Sequence, residues 1–195
     1  MLNAMHHRRS SAGFTLIELM IALVLLGLLA IAAGPSFHTF LVNTRIRNVA
    51  ESLQNGLRLA QAEAAKRNEQ VDFVMTTAGE FTSDPTNGAP TASPSGTAWV
   101  VRVPASTFIA GKVSAEGSPS VSITASVPSG CAAFDGNVGF NGLGRTTLPC
   151  NLTLAVNDSS SSDSSKRPLS ILLSPGGKVR MCNPLFAAGD PQACS

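Results

Sequence analysis

The stretch Gly13-Phe14-Thr15-Leu16-Ile17-Glu18 decides how this 195-residue chain is read, because it joins the basic leader His6-His7-Arg8-Arg9 to an apolar run that reaches Ala33. Between Phe14 and Ala33 only Thr15 and Glu18 are strongly polar. At about 1.5 Å per helical residue that run is roughly 30 Å long, the thickness of a bilayer core. It predicts a membrane-spanning helix, oriented by Arg8 and Arg9 with its start in the cytoplasm and the rest of the chain outside. Glu18 is the anomaly. A carboxylate in hydrocarbon costs on the order of 3 kcal/mol at mid-span and less near the interface, so a partner or a function must compensate it.

Past the apolar run, Gly34-Pro35 predicts a kink or a locally melted turn, since Pro35 has no amide to bond the carbonyl of Ile31 and its ring crowds that turn. A helical pattern then resumes. Ile46, Val49, Leu53, Leu57, Ala60 and Ala64 recur at three and four residues, while Arg47, Glu51, Arg58 and Glu63 fall largely elsewhere around the helix. This amphipathic stem is expected to reach Arg67 or Asn68, with Lys66 and Arg67 favourable at the negative end of the helix dipole. Thereafter the period becomes two, and strands are expected at 71–76, 98–103, 121–126, 138–141, 152–156, 169–174 and 178–182. Residues 82–97 and 157–165, rich in Ser, Thr, Pro, Gly or Asp, read as exposed loops. The fold class is therefore α+β: a long N-terminal transmembrane and spine helix packed on an antiparallel β-sheet head. Its segments are a leader at 1–13, a transmembrane helix half at 14–34, an amphipathic half at 35–68 and a β-rich head at 69–195.

Composition narrows the chemistry. Without Arg8 and Arg9 the remaining 12 Lys and Arg balance 12 Asp and Glu, so net charge argues for no particular partner. The head contains no histidine, His38 lying on the helix, which excludes a Ser-His-Asp triad there; no catalytic residue is assigned. Asp135, Asp158, Asp163 and Asp190 stand among turn residues and read as caps or solvated groups. Gly176-Gly177-Lys178 lacks the spaced first glycine and following hydroxyl of a phosphate loop, so no nucleotide or other cofactor is expected. There is no tyrosine, and Trp99, between Ala98 and Val100, reads as core.

Cys131, Cys150, Cys182 and Cys194 all lie outside the membrane, where disulfides are the default. Three connectivities are possible, and the sequential pairs Cys131 with Cys150 and Cys182 with Cys194 are favoured because each closes a short loop. A zinc site is the alternative, but close Cys-x-x-Cys spacing is absent and no metal ligand set is assigned.

The order of basic residues, Gly-Phe-Thr-Leu-Ile-Glu and an apolar run resembles the class III signal of type IV pilins and pseudopilins. That resemblance implies cleavage after Gly13 by a prepilin peptidase, methylation of Phe14 as the new N-terminus, and retention of the apolar helix. It also implies that Glu18 pairs with the terminal amine of a neighbouring subunit. Pro35 would be the twenty-second mature residue, where many pilins carry a helix-breaking proline that lets the helix extend on assembly.

Two later segments, Phe140-Asn141-Gly142-Leu143-Gly144-Arg145 and Pro175 to Pro184 with Asp190-Pro191-Gln192-Ala193-Cys194, look like the GspH/FimT group of minor pilins and pseudopilins. The implied function is a FimU/FimT-like minor pilin, a structural subunit that enters a type IV pilus and primes its assembly; the alternatives are a type II secretion pseudopilin H-like subunit and a DNA-binding minor pilin for natural transformation. The implied place is the bacterial inner membrane, single-pass with the head in the periplasm, then a pilus or pseudopilus. Implied partners are other major or minor pilins or pseudopilins, the prepilin peptidase and inner-membrane lipid, with DNA as the partner of the third reading. Some members of the group bind DNA through a Gly-Arg-x-Arg element, matched here by Gly177, Lys178, Val179 and Arg180 with Lys in place of the first Arg. Strand alternation puts Lys178 and Arg180 on one face, with Lys166 and Arg167 as further candidates for a DNA-binding patch.

Overall fold

The computed structural model describes residues 14–77, 91–104, 108–113, 120–160 and 165–194, without the side chains of 32–35. By contacts the chain divides between His38 and Thr39 into two units. The division falls inside one long helix, α1 (Leu16–Arg67).

In the first unit every residue from Phe14 to Ile31 is exposed, including Leu19, Leu23, Leu26 and Leu29. No single helix among the described residues is long and apolar enough to cross a membrane, although Leu16–Ile31 and Ser36–Arg67 meet that test as a broken pair. Gly34 and Pro35, where a kink or melted turn was the expectation, fall in the break between these two stretches.

In the second unit the three-and-four spacing of the stem becomes a buried stripe. Val42, Ile46, Ala50, Leu53, Leu57, Ala60 and Ala64 are each almost or wholly inaccessible. Removing such side chains from water is worth about 0.8 kcal/mol per methylene, which outweighs the modest helix propensity of Val and Ile here. Asn68, in the left-handed region at φ 53, ends α1 and turns the chain into the first strand.

Eight strands follow: β1 (Val71–Thr76), β2 (Ala98–Arg102), β3 (Phe108–Lys112), β4 (Val121–Ser126), β5 (Asn137–Phe140), β6 (Leu152–Asp158), β7 (Leu169–Leu173) and β8 (Val179–Cys182). They form two four-stranded antiparallel sheets, ordered β3-β2-β1-β5 and β4-β6-β7-β8. One core joins α1 to both: Phe73, Trp99 and Phe140 come from the first sheet, Leu152, Leu154 and Ile171 from the second. The Phe73 and Trp99 rings lie 5.7 Å apart, and the Trp99 indole donates to Ser52 Oγ at 2.9 Å.

Two expectations need correction. β3 was not anticipated: Phe-Ile-Ala-Gly-Lys has no alternation, and this half-exposed edge strand exists because β2 offers a free edge. The loop expected at 157–165 starts two residues late, since β6 runs on to Asp158 and Asp158 is buried. Of the other expected loop, 91–97 is without helix or strand, while 82–90 lie outside the described residues.

Candidate functional site

At the start of α1 the local sequence Thr15-Leu16-Ile17-Glu18 forms a reciprocal cap. The Thr15 amide donates to Glu18 Oε2 at 3.4 Å, and the Glu18 amide donates to Thr15 Oγ1 at 3.3 Å. A hydroxyl residue before the first turn and a carboxylate three residues on satisfy two donors that a helix start leaves unpaired. Glu18 therefore has an intrachain role as helix cap. Phe14 beside it is 85% exposed. Gly13, the implied cleavage position, lies outside the described residues, as does the leader.

The second candidate is a groove of about 640 Å³ on the face of the β4-β6-β7-β8 sheet that points away from the core. Its floor follows from strand register. Ser126 pairs with Thr153, Thr153 with Leu172 and Leu172 with Arg180, a straight row across all four strands. Two residues along, on the same face by alternation, come Asn151, Ser174 and Lys178. Lys178 is exposed and Arg180 half-buried, and both line the groove. Their Cα atoms are about 7 Å apart along the strand. No carboxylate stands among the described residues that line it.

Lys166 and Arg167 are not brought to this groove. They precede β7, at the end opposite the turn that carries Lys178. There Lys166 Nζ donates to the Asp158 carbonyl at 3.0 Å, and the Arg167 amide donates to Asn43 Oδ1 of α1 at 2.8 Å. Asp158 anchors this corner. Its Oδ2 accepts from Ser120 Oγ at 2.8 Å, and its Oδ1 accepts from the Ser160 amide at 2.7 Å and from the Ser160 hydroxyl. Burial pushes its carboxyl pKa up, but the Ser160 and Ser120 hydrogen bonds and the charge of Arg45 prevail and hold it below the ordinary value.

The position of Lys178 is set by a residue that sequence reading passed over. Gln61 Nε2 donates to the carbonyl of Gly144 at 2.8 Å and of Gly177 at 3.0 Å, fastening two glycine turns to α1. The available signal was a polar residue four places after Leu57, on the buried side of the helix. The disulfides pair Cys131 with Cys150 and Cys182 with Cys194; the second ties the C-terminal segment beside β8, and Cys194 lines the groove.

An exposed apolar helix with a capping box at its start, together with an amphipathic stem packed on antiparallel sheets, defines a pilin-like protein. The N-terminal region matches the prokaryotic N-terminal methylation motif over residues 8–34. Over residues 49–177 the chain matches the model of type II transport protein GspH, and it belongs to that family of minor pilins and pseudopilins. It is thus a membrane-anchored pilus or pseudopilus component. Among curated proteins none matches the chain. Similar solved structures include the type IV minor pilin FimU of Pseudomonas aeruginosa, with 14% identity, a TM-score of 0.47, and coverage of 78% of this chain and 96% of that one. Another is the minor pseudopilin EpsH from the type 2 secretion system of Vibrio cholerae, with 9% identity, a TM-score of 0.47, and coverage of 73% and 99%.

Proposed function

We propose that this chain is a minor pilin, a structural subunit that is processed after Gly13, enters a type IV pilus and primes its assembly. The observation that carries this reading is the exposure of every residue from Phe14 to Ile31 in a segment that also carries the methylation motif. An apolar helix that its own chain does not cover is suited first to lipid and then to the apolar helices of neighbouring subunits. In this reading Glu18 has two successive partners: its own helix start in the free subunit, and the methylated amine of a neighbour's Phe14 in the filament. Prepilin peptidase and other pilins are the partners, and the inner membrane is the place of storage. A second reading, a pseudopilin of type II secretion, is favoured by the match to the GspH model.

Comparison of wild type with Glu18→Ala in the membrane fraction and in sheared filaments tests the assembly role. The variant is expected in the membrane at normal level and strongly depleted from filaments; normal incorporation would remove the register role. Gly13→Leu is expected to accumulate as uncut precursor. Deletion of the gene separates the two readings: loss of surface pili with intact protein secretion supports the minor pilin, and the reverse supports the pseudopilin.

A further inference from the structure

We propose that the pocket between the Cys131–Cys150 disulfide and the start of β5 receives a lysine or arginine side chain of a neighbouring subunit, with Asp135 as its countercharge. The source of that side chain rests on the assembly reading above; the chemistry of the pocket does not.

The pocket encloses about 230 Å³, room for one long side chain rather than for a drug-sized ligand. Val127, Phe134 and Leu148, each half-buried against the core, give it apolar walls on which the methylenes of a basic side chain can lie. The Phe134 ring adds a face that attracts a cation. Ala132, Ala133 and Pro149 are its exposed lining residues, and such short side chains let another protein's surface come close.

The polar groups of the pocket are acceptors in want of donors. Asp135 is the only charged residue among the described lining residues. Its Oδ1 accepts from the Asn137 amide at 2.8 Å, a local turn that fixes the carboxylate and leaves Oδ2 without a partner among the described residues. Asn137 also lines the pocket, and its buried Oδ1 has no hydrogen-bond partner among the described residues. Such acceptors are rare in folded chains, and a positively charged guest that carries donors answers both groups. The chain has none to offer: every Lys and Arg beyond the leader is described, as is His38, and none lies within ion-pair distance of Asp135. A divalent ion would need several oxygen ligands, and no group of three candidate ligands occurs among the described residues. The cation therefore comes from another molecule.

The test is titration of the full chain in zwitterionic detergent with capped Gly-X-Gly tripeptides, X being lysine, arginine or norleucine, read from the backbone amide resonances of residues 131–137 and 147–150. The lysine and arginine peptides are expected to shift these resonances saturably and to bind at least about tenfold more tightly than norleucine, which has the stem without the charge. Asp135→Asn keeps an acceptor for the Asn137 amide and is expected to lose about that factor, while Phe134→Leu keeps an apolar wall and is expected to lose about threefold. Asp190→Asn is the matched control. Asp190 Oδ1 accepts from the Gln192 amide in the same way, at 2.7 Å, but Asp190 does not line this pocket, so the variant is expected to bind as wild type. In the filament comparison used for Glu18→Ala, Asp135→Asn is expected at normal level in the membrane and depleted from filaments.

Equal affinity for norleucine, no loss in Asp135→Asn, or an equal loss in Asp190→Asn would each overturn the cation pocket. Peptide binding together with normal filament incorporation of Asp135→Asn would overturn the neighbouring subunit as the source. Absence of the wild-type chain from filaments would sink the assembly reading and the source with it, while the peptide titration would still decide the pocket.

Discussion

Gln61 donates a hydrogen bond from its side-chain amide to the carbonyl of Gly177, across 116 positions of sequence, at 3.0 Å. The same nitrogen reaches the carbonyl of Gly144, so its two protons fasten the turns after β5 and β7 to one point on α1. Both glycine turns are thereby positioned by the helix, and Lys178 follows directly on the second of them.

Replacement of Gln61 by Leu keeps the volume but leaves two partly buried carbonyls without their donor. The expected loss is about 1–3 kcal/mol. Thermal unfolding of the full chain in detergent would show a Tm lower by roughly 2–4 °C for each kcal/mol. Lys178→Gln, by contrast, removes an exposed side chain with no part in these bonds and would unfold as wild type.

Adjacent glycines in the β7–β8 turn are predicted to behave oppositely. Gly177 has φ +86, and a Cβ there would run into the Gly144 carbonyl oxygen and stand 2.5 Å from Gln61 Nε2. Gly176 has only Ser174 Oγ nearby, at 3.8 Å. Gly177→Ala is expected to cost about 2 kcal/mol or more, and Gly176→Ala to stay within about 0.5 kcal/mol of wild type. Denaturant midpoints of the two variants check this contrast.

Gly56 lies in the interior of α1, where alanine is intrinsically better by about 1 kcal/mol. Here packing opposes propensity. A Cβ would come 2.6 Å from Phe73 Cε2 and 3.0 Å from Trp99 Cδ2, and both rings are fixed in the core. Overpacking of that kind costs about 1–3 kcal/mol, so Gly56→Ala is expected to be net destabilising, with the Trp99 fluorescence altered as its ring shifts. A more stable variant would show that the rings move freely.

Asp158 gives a pH dependence with a defined sign. Its pKa is lower folded than unfolded, so below the ordinary carboxylate value the unfolded chain binds the proton more readily. The contribution is fully present above about pH 4, where the unfolded carboxyl is ionised, and is lost as pH falls through the folded pKa. Asp158→Asn is expected to be less stable at neutral pH and to show a flatter decline below pH 4. Unfolding midpoints of variant and wild type across that range would report it.

Much of this architecture is written in local sequence. The spacing of Ile46, Leu53, Leu57 and Ala64 specifies a helix face, because a period of 3.6 leaves one stripe to bury whatever covers it, and the expected stem end agrees with Arg67 as the last helical residue. Alternation located β1 and β4 to the residue. β3 escaped because its strand character comes from pairing with β2 rather than from its own pattern; of the two roles expected for Asp158, cap or solvated group, the cap to the Ser160 amide is local, whereas its burial depends on Ser120 and Arg45, which lie far from it in sequence.

What the sequence by itself determined is the apolar N-terminal helix with its motif, the amphipathic stem and most of the strands, since each depends on neighbours within a few residues. Only the tertiary structure decided that the strands divide into two sheets, that Gln61 holds Gly144 and Gly177, and that Lys178 and Arg180 share a groove from which Lys166 and Arg167 are excluded. Those outcomes depend on register and on contacts across 83 and 116 positions, which no local periodicity encodes.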